Sequence, residues 1–188
     1  MSAKQEKSNA QFDKVATQAI EFMLKKYDDY GSSWTYLRPH SLADQIFIKL
    51  KRIWTIQETG EQKVEDSING DIFGILNYAA MALSRLRGDV GQNSTITKEE
   101  FEGFMKKSFT NARDLFQAKN HDYGEAWRDL SVSTMTDLMI QKIMRLHSIK
   151  RNKGKTKVSE GAAANYLDIM NYSIFCLIRI DEGINPMD

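Results

Sequence analysis

The chain carries one pattern twice, and that repeat constrains the fold more than any other feature. Residues 26–57 read KYDDYGSSWTYLRPHSLADQIFIKLKRIWTIQ, and residues 119–150 read KNHDYGEAWRDLSVSTMTDLMIQKIMRLHSIK. At a fixed offset of 93, without a gap, ten of these 32 positions are identical. Among them are Asp29/Asp122, Tyr30/Tyr123, Gly31/Gly124, Trp34/Trp127, Asp44/Asp137, Lys49/Lys142 and Arg52/Arg145. After a slip of one residue a further block recurs, GDIFGILNY at 70–78 against ANYLDIMNY at 164–172. A fixed period makes each copy one supersecondary unit that needs its neighbour to bury a core. The retained residues are mostly polar, aromatic or glycine, whereas the apolar ones drift, as in Ile46/Met139 and Leu50/Ile143. Packing alone does not require that pattern.

Prolines are scarce, only Pro39 and Pro186, and the apolar residues recur at helical spacing, so the sequence predicts six helices, three per copy. Helix 1 is expected over about Gln11–Asp28, with Phe12, Val15, Ala19, Phe22 and Met23 inward, behind a frayed tail at 1–8. Its partner runs over about Thr97–Asn120 and opens on the capping-box pair Thr97 and Glu100. Gly31 and Gly124 then suit chain reversals with a left-handed backbone. Ser41 to Asp44 and Thr134 to Asp137 read as the caps that start helices 2 and 5. Their inward stripes are Leu42, Ile46, Leu50, Ile53 and Met135, Met139, Ile143, Leu146. Helices 3 and 6 are expected over about Ser67–Arg87 and Ser159–Ile180. Copy one thus covers 9–86, a linker 87–96, and copy two 97–182. Three helices with one apolar stripe each bury best against the other copy. The expected fold is all-α, a duplicated three-helix unit packed as one pseudo-two-fold bundle.

A net charge of +1 argues against a dedicated duplex nucleic-acid binder. The lone Cys176 sits in an apolar run, reads as a core residue, and leaves no internal disulfide, which fits a reducing cytoplasm. The N-terminus lacks a secretory apolar region, and no run is long enough for a membrane span. The three histidines show no metal spacing, and no phosphate-loop, nucleophile-elbow or zinc-protease motif is present.

Four groups of residues carry chemistry. Lys49 and Arg52, with Lys142 and Arg145, put a point charge and a planar fork on one side of helices 2 and 5. They suit either a phosphate clamp or an ion pair to a neighbouring helix. Asp44 and Asp137 are explained by capping, with a ligand role as the alternative. A polar stripe on helices 3 and 6 reads Asp71, Gly74, Asn77, Tyr78 and Asn165, Asp168, Asn171, Tyr172. It is either a solvated face or a site whose carboxylates hold a metal or the partner lysine. The DYGxxW element, Asp29–Trp34 and Asp122–Trp127, either plugs the bundle end with Tyr30, Trp34, Tyr123 and Trp127 or offers those rings to a base. The basic loop Lys150–Lys157 reads as a solvated turn that tilts anion preference toward copy two.

The runs KKYDDYGSSW, RPHSLADQIFIKLKRI and GILNY, then AKNHDYGEAWRDL, TDLMIQKIMRL and SEGAAANYLDIMNY, resemble the nucleotide modification associated domain 1 family, in both copies. That resemblance implies a small helical protein with a nucleotide-linked role. The chain is more distantly similar to the all-α nucleoside triphosphate pyrophosphohydrolases, which are often dimeric and bind Mg²⁺ through paired acidic motifs. Here the corresponding places hold Asn165 with Asp168, and Asp71 with Gly74, so carboxylates are few.

These readings combine into a cytoplasmic nucleotide-binding protein, with a Mg²⁺-dependent (pyro)phosphohydrolase as its enzymatic form. Lys142 and Arg145 would hold phosphates. Asp122 and Asp168 would serve catalysis or, with Asp71, the metal. Tyr123, Trp127, Asn171 and Tyr172 would line the base pocket. Lys49, Arg52, Tyr30, Trp34, Asn77 and Tyr78 would form the counterpart in copy one, with copy two the better equipped. The expected partner is a nucleotide or nucleoside phosphate, without membrane or duplex nucleic acid; a homo-oligomer is an open alternative to a monomer. The competing reading is a non-catalytic protein-interaction module in which the same charges form an internal ion-pair network.

Overall fold

A computed structural model describes residues 3–152, 154 and 161–188, and within them the fold is all-helical. The helices are α1 (Ala3–Tyr30), α2 (Pro39–Thr59), α3 (Ile68–Leu86), α4 (Lys98–Tyr123), α5 (Val132–Arg151) and α6 (Ala162–Asp181). A short 3-10 turn follows α1 at Ser33–Tyr36, and its counterpart follows α4 at Ala126–Asp129. The two copies are therefore the same run of elements.

The packing follows the repeat. Each helix touches its own counterpart, α1 with α4, α2 with α5 and α3 with α6, as helices around an internal two-fold must. Helices α3 and α6 make the central pair, because their apolar faces are the widest. The expected stripes of α2 and α5 are buried: Leu42, Ile46, Leu50, Ile53, Met135, Met139 and Ile143 are fully enclosed. Helices α1 and α4 are joined by the stacked rings of Phe12 and Phe116, 5.0 Å apart. Helix α1 leans on α6 of the other copy more than on α3 of its own, so the halves interlock.

Several local expectations are corrected. Residues 3–8 are not a frayed tail: α1 starts at Ala3, and Ser8 is buried and accepts a hydrogen bond from Arg128 Nη2 at 2.6 Å. Helix α2 starts at Pro39 with Arg38 as its cap residue, since proline fits the first helical position, and Ser41 and Asp44 lie inside it. Helix α5 starts at Val132, capped by Ser131, whose hydroxyl accepts from Thr134 N at 3.0 Å; Thr134 and Asp137 are interior. Phe22 faces outward beneath the Lys26 ammonium. The Thr97–Glu100 capping box forms as expected, and Ser67 caps α3. Gly31 and Gly124 take the left-handed backbone, at φ 53° and 61°. The start of helix 6 at Ser159 and half of the basic loop 150–157, namely 153 and 155–157, lie outside the described residues.

The linker between copies is held by the first 3-10 turn. Asn93 N donates to Thr35 O at 3.1 Å, Thr35 Oγ1 to Ser94 O at 2.8 Å, and Tyr27 OH to Ile96 O.

Candidate functional site

The DYGxxW element ends α1 and α4 in a left-handed glycine and turns the tryptophan back beneath the bundle. Trp34 and Trp127 are 7% and 6% exposed, so both rings are plugs. Above each plug lies a cavity. The copy-one cavity, about 500 Å³, is lined by Lys26, Tyr27, Tyr30, Trp34, Leu37, Gln45, Lys49, Gly74, Asn77, Tyr78 and Met81, among others. The copy-two cavity, about 340 Å³, is lined by Lys119, Asn120, Tyr123, Trp127, Leu130, Asp168, Asn171, Tyr172 and Phe175, with Ala126. These volumes fall in the range of small-molecule sites. The cavities correspond position by position through the repeat yet share no lining residue. The hollow is thus duplicated, one per copy, and not common to both.

The charged residues make two ion-pair clusters. In copy one, Asp71 is 5% exposed and accepts from Lys49 Nζ at 3.0 Å and from Arg52 Nη1. The other arm of Arg52 donates to Val64 O at 3.1 Å and Asp66 O at 2.7 Å. In copy two, Asp168 is 5% exposed and meets Lys142 Nζ at 2.7 Å and Lys119 Nζ at 2.6 Å. Asn165 takes the place of Asp71 and donates to Gly161 O at 2.9 Å, so Arg145 loses the acid that Arg52 has. Arg145 Nε has no hydrogen-bond partner among the described residues. The polar stripe of α3 and α6 is therefore a buried seam and not a solvated face.

The aromatic and amide residues do converge. Asn77 and Asn171 are 6% and 3% exposed and line the two cavities at matching positions. Among the described residues Asn77 Oδ1 has no partner, and neither do Asn171 Oδ1 and Nδ2. Trp34 Nε1 is also buried without a partner among the described residues, whereas Trp127 Nε1 donates to Asn120 Oδ1 at 3.2 Å. The difference is one substitution in the repeat: Tyr27 stands where copy two has Asn120. A buried polar atom left without a hydrogen bond is rare and costs about 1–3 kcal/mol. Tyr30 and Tyr123 are 67% and 70% exposed and stand at the cavity mouths. Tyr78 and Tyr172 are half-buried in the walls.

The sequence-predicted clamp is only partly assembled. Lys49 lines its cavity, but Arg52, Lys142 and Arg145 line neither of the two. Asp122 is exposed, hydrogen-bonded to His121 Nδ1 at 3.0 Å, and likewise lies outside the linings. The carboxylates named for Mg²⁺ do not fit it: Asp71 and Asp168 each face two cations in separate copies, and Asp122 stands apart. No cluster of three metal-ligating side chains occurs among the described residues. Asp44, expected as a cap, instead accepts from His147 Nε2 at 3.1 Å and ties α2 to α5. Two residues were missed, Lys26 and Lys119. Both line the cavities, and the pair is among the ten identities of the repeat, so the signal was present. Cys176 is fully enclosed, and burial pushes its thiol up, away from the reactive thiolate.

Neither a curated protein nor a solved structure matches the chain. A family model does, over residues 26–86 and 119–180, more than half of the sequence. The matched segments begin at Lys26 and Lys119, the two lysines that line the cavities, and each carries one full set of DYGxxW, KxxR and Asn–Tyr residues. The chain belongs to the nucleotide modification associated domain 1 family, which it carries in two copies.

Proposed function

We propose that the protein binds a nucleotide or nucleoside in the cavities above Trp34 and Trp127. The observation that carries this reading is the matched pair of buried amides, Asn77 and Asn171, in which Asn77 Oδ1 and both polar side-chain atoms of Asn171 lack partners among the described residues beside aromatic walls. An amide offers both a donor and an acceptor, which suits the hydrogen-bonding edge of a base. Tyr30 and Tyr123 at the mouths present ring faces for stacking, worth about 1–3 kcal/mol per base. Lys26 and Lys119 place a lysine at the wall of each cavity, and Lys26 offers its charge to a phosphate. The family's association with nucleotide modification agrees with this chemistry.

A thermal-melting series with the deoxynucleosides, ribonucleosides and their phosphates tests it, with and without Mg²⁺. A ligand at a hundred times its dissociation constant adds about 2.7 kcal/mol, a shift of roughly 5–10 °C for a chain of this size. Asn77→Leu together with Asn171→Leu should remove the shift while leaving the apo protein as stable or more so, because the orphaned atoms are gone. No shift with any compound sinks the reading.

The hydrolytic form, a Mg²⁺-dependent attack on a nucleoside triphosphate, has weaker support. Its carboxylates, Asp122 and Asp168, are respectively outside the cavity and bonded by two ammonium groups. Any Mg²⁺ is expected to arrive on the ligand's own phosphates. Incubation with nucleoside triphosphates and Mg²⁺ should therefore yield bound nucleotide and no release of pyrophosphate or phosphate.

The second reading, an interaction module with an internal ion-pair network, draws support from the Asp71 and Asp168 clusters. It requires the unpartnered amides to serve no ligand, so the melting series separates the two.

A further inference from the structure

We propose that the two cavities have divided the work: the copy-one cavity takes the phosphorylated ligand, and in copy two Asp168 stands in the phosphate's place as a built-in counter-ion. The inference rests on the nucleotide-binding reading and specifies which copy accepts the anion.

The two copies differ by one turn of helix in where they place this carboxylate. Through the repeat, Gly74 of α3 occupies the position of Asp168 in α6. In copy one the glycine leaves room for the Lys49 side chain to lie across the helix; a Cβ at Gly74 would come within 2.6 Å of Lys49 Cε. Lys49 thereby reaches Asp71, one turn earlier, at 3.0 Å. The cavity wall is left with two lysines, Lys26 and Lys49, and no carboxylate among its lining residues. In copy two the acid has moved up that turn. Asp168 lines the cavity, and its two oxygens are bonded by Lys119 at 2.6 Å and Lys142 at 2.7 Å.

The same lysine position therefore has two fates. Lys119 is paired with an acid of its own chain, whereas the copy-one equivalent, Lys26, lines a cavity with no carboxylate among its described lining residues and holds its ammonium 5.0 Å over the exposed Phe22 ring, from which it can swing to a ligand. A carboxylate between two ammonium groups is what a phosphate oxygen would otherwise supply, and a phosphate brought to the same point would meet like charge. Copy one is also the larger cavity, about 500 against 340 Å³, and holds a buried donor without a partner among the described residues, Trp34 Nε1. This reverses the sequence-based preference for copy two.

The protein contains three tryptophans, which make site-specific reporters. Trp34 lines the copy-one cavity and Trp127 the copy-two cavity, while Trp54 lines neither and packs under Lys51 Nζ at 3.6 Å. In the intact chain labelled with ¹⁵N-tryptophan, the indole resonances are followed during titration with deoxynucleoside 5′-monophosphates, the parent deoxynucleosides, and inorganic pyrophosphate. Monophosphate and pyrophosphate should move the Trp34 resonance alone. Lys26→Met, at an exposed position that leaves the fold intact, should weaken that response about tenfold or more without affecting a nucleoside. Gly74→Asp should abolish the phosphate preference of copy one, and Asp168→Asn should make Trp127 respond to pyrophosphate. An equal response of Trp127 to phosphorylated compounds in the unaltered protein overturns the proposal, as does an unchanged affinity in Lys26→Met. If nucleosides move both indoles and a phosphate adds no preference, the division of labour fails while the binding reading stands. If no compound moves either indole, both fail.

Discussion

Asp168 and Asp71 are nearly buried carboxylates, and two cations meet each of them. That redundancy predicts a non-additive response. Lys142→Met leaves Lys119 in place and should cost about 1.5–3 kcal/mol, the worth of one hydrogen bond to a charged group. Lys119→Met together with Lys142→Met strands the carboxylate and should cost about 3–5 kcal/mol in urea denaturation at neutral pH. Equal losses for the single and double variants would show that Lys119 contributes nothing to Asp168. Cys176 gives a second test at this scale. Its thiol is enclosed and held protonated by burial, so a thiol reagent should label it only at the rate of global unfolding. The residue scale is also where the sequence was least legible. The repeat identified Lys49, Arg52 and their counterparts, but which acid each lysine meets depends on a one-turn offset between α3 and α6 that spacing alone does not reveal. Lys26 and Lys119 are equally visible in the repeat, as one of its ten identical pairs.

At the scale of elements, stripes of apolar residues located α2 and α5 in the sequence, because helical periodicity survives even where the residues drift. Starts were harder. Ser41 with Asp44 and Thr134 with Asp137 satisfy the capping pattern, yet each pair sits inside its helix, because Pro39 and Ser131 begin the turn earlier. Ser131→Ala should therefore cost about 1 kcal/mol, whereas Ser41→Ala should stay within about 0.5 kcal/mol of the parent; chemical denaturation of both variants checks the pair. The early start of α1 has a different cause. The segment before Gln11 is polar and gave no inward stripe, but Arg128 of copy two reaches Ser8 Oγ and Gln11 Oε1, both at 2.6 Å. Glu125 at 2.9 Å and Glu182 at 3.1 Å hold the same guanidinium from the other side. Tertiary partners, not local pattern, fix this helix end. Removing residues 1–8 should consequently lower stability by about 1–3 kcal/mol, where a frayed tail would cost nothing.

For the whole molecule, the internal two-fold makes the chain a dimer in one polypeptide, and the interlocking of α1 with the other copy makes its halves interdependent. The linker is part of that arrangement. Burial alone would raise the Asp89 carboxyl, but hydrogen bonds from Lys107 and Arg87, at 2.7 and 2.6 Å, and their charges outweigh it and hold it below the usual carboxylate range. A lowered carboxyl stabilises the fold above its unfolded value near about 4, and that contribution is lost as pH falls through the folded value. Asp89→Asn should flatten the acid limb of the stability curve below about pH 4, as read from melting temperature against pH. Cutting the chain within the linker tests the larger claim. A fragment ending near Gly91 would expose the apolar faces of α1 and α3 that α4 and α6 cover, including Phe12 against Phe116 and the central α3–α6 seam. Each half should thus lack a cooperative melt by itself. Mixed at equal concentration, the two should recover one cooperative transition whose midpoint rises with concentration, as mass action requires of a bimolecular fold. An isolated half that melts cooperatively, at a midpoint independent of concentration, would mean that each copy closes its own core and that the two-fold is merely contact between finished domains.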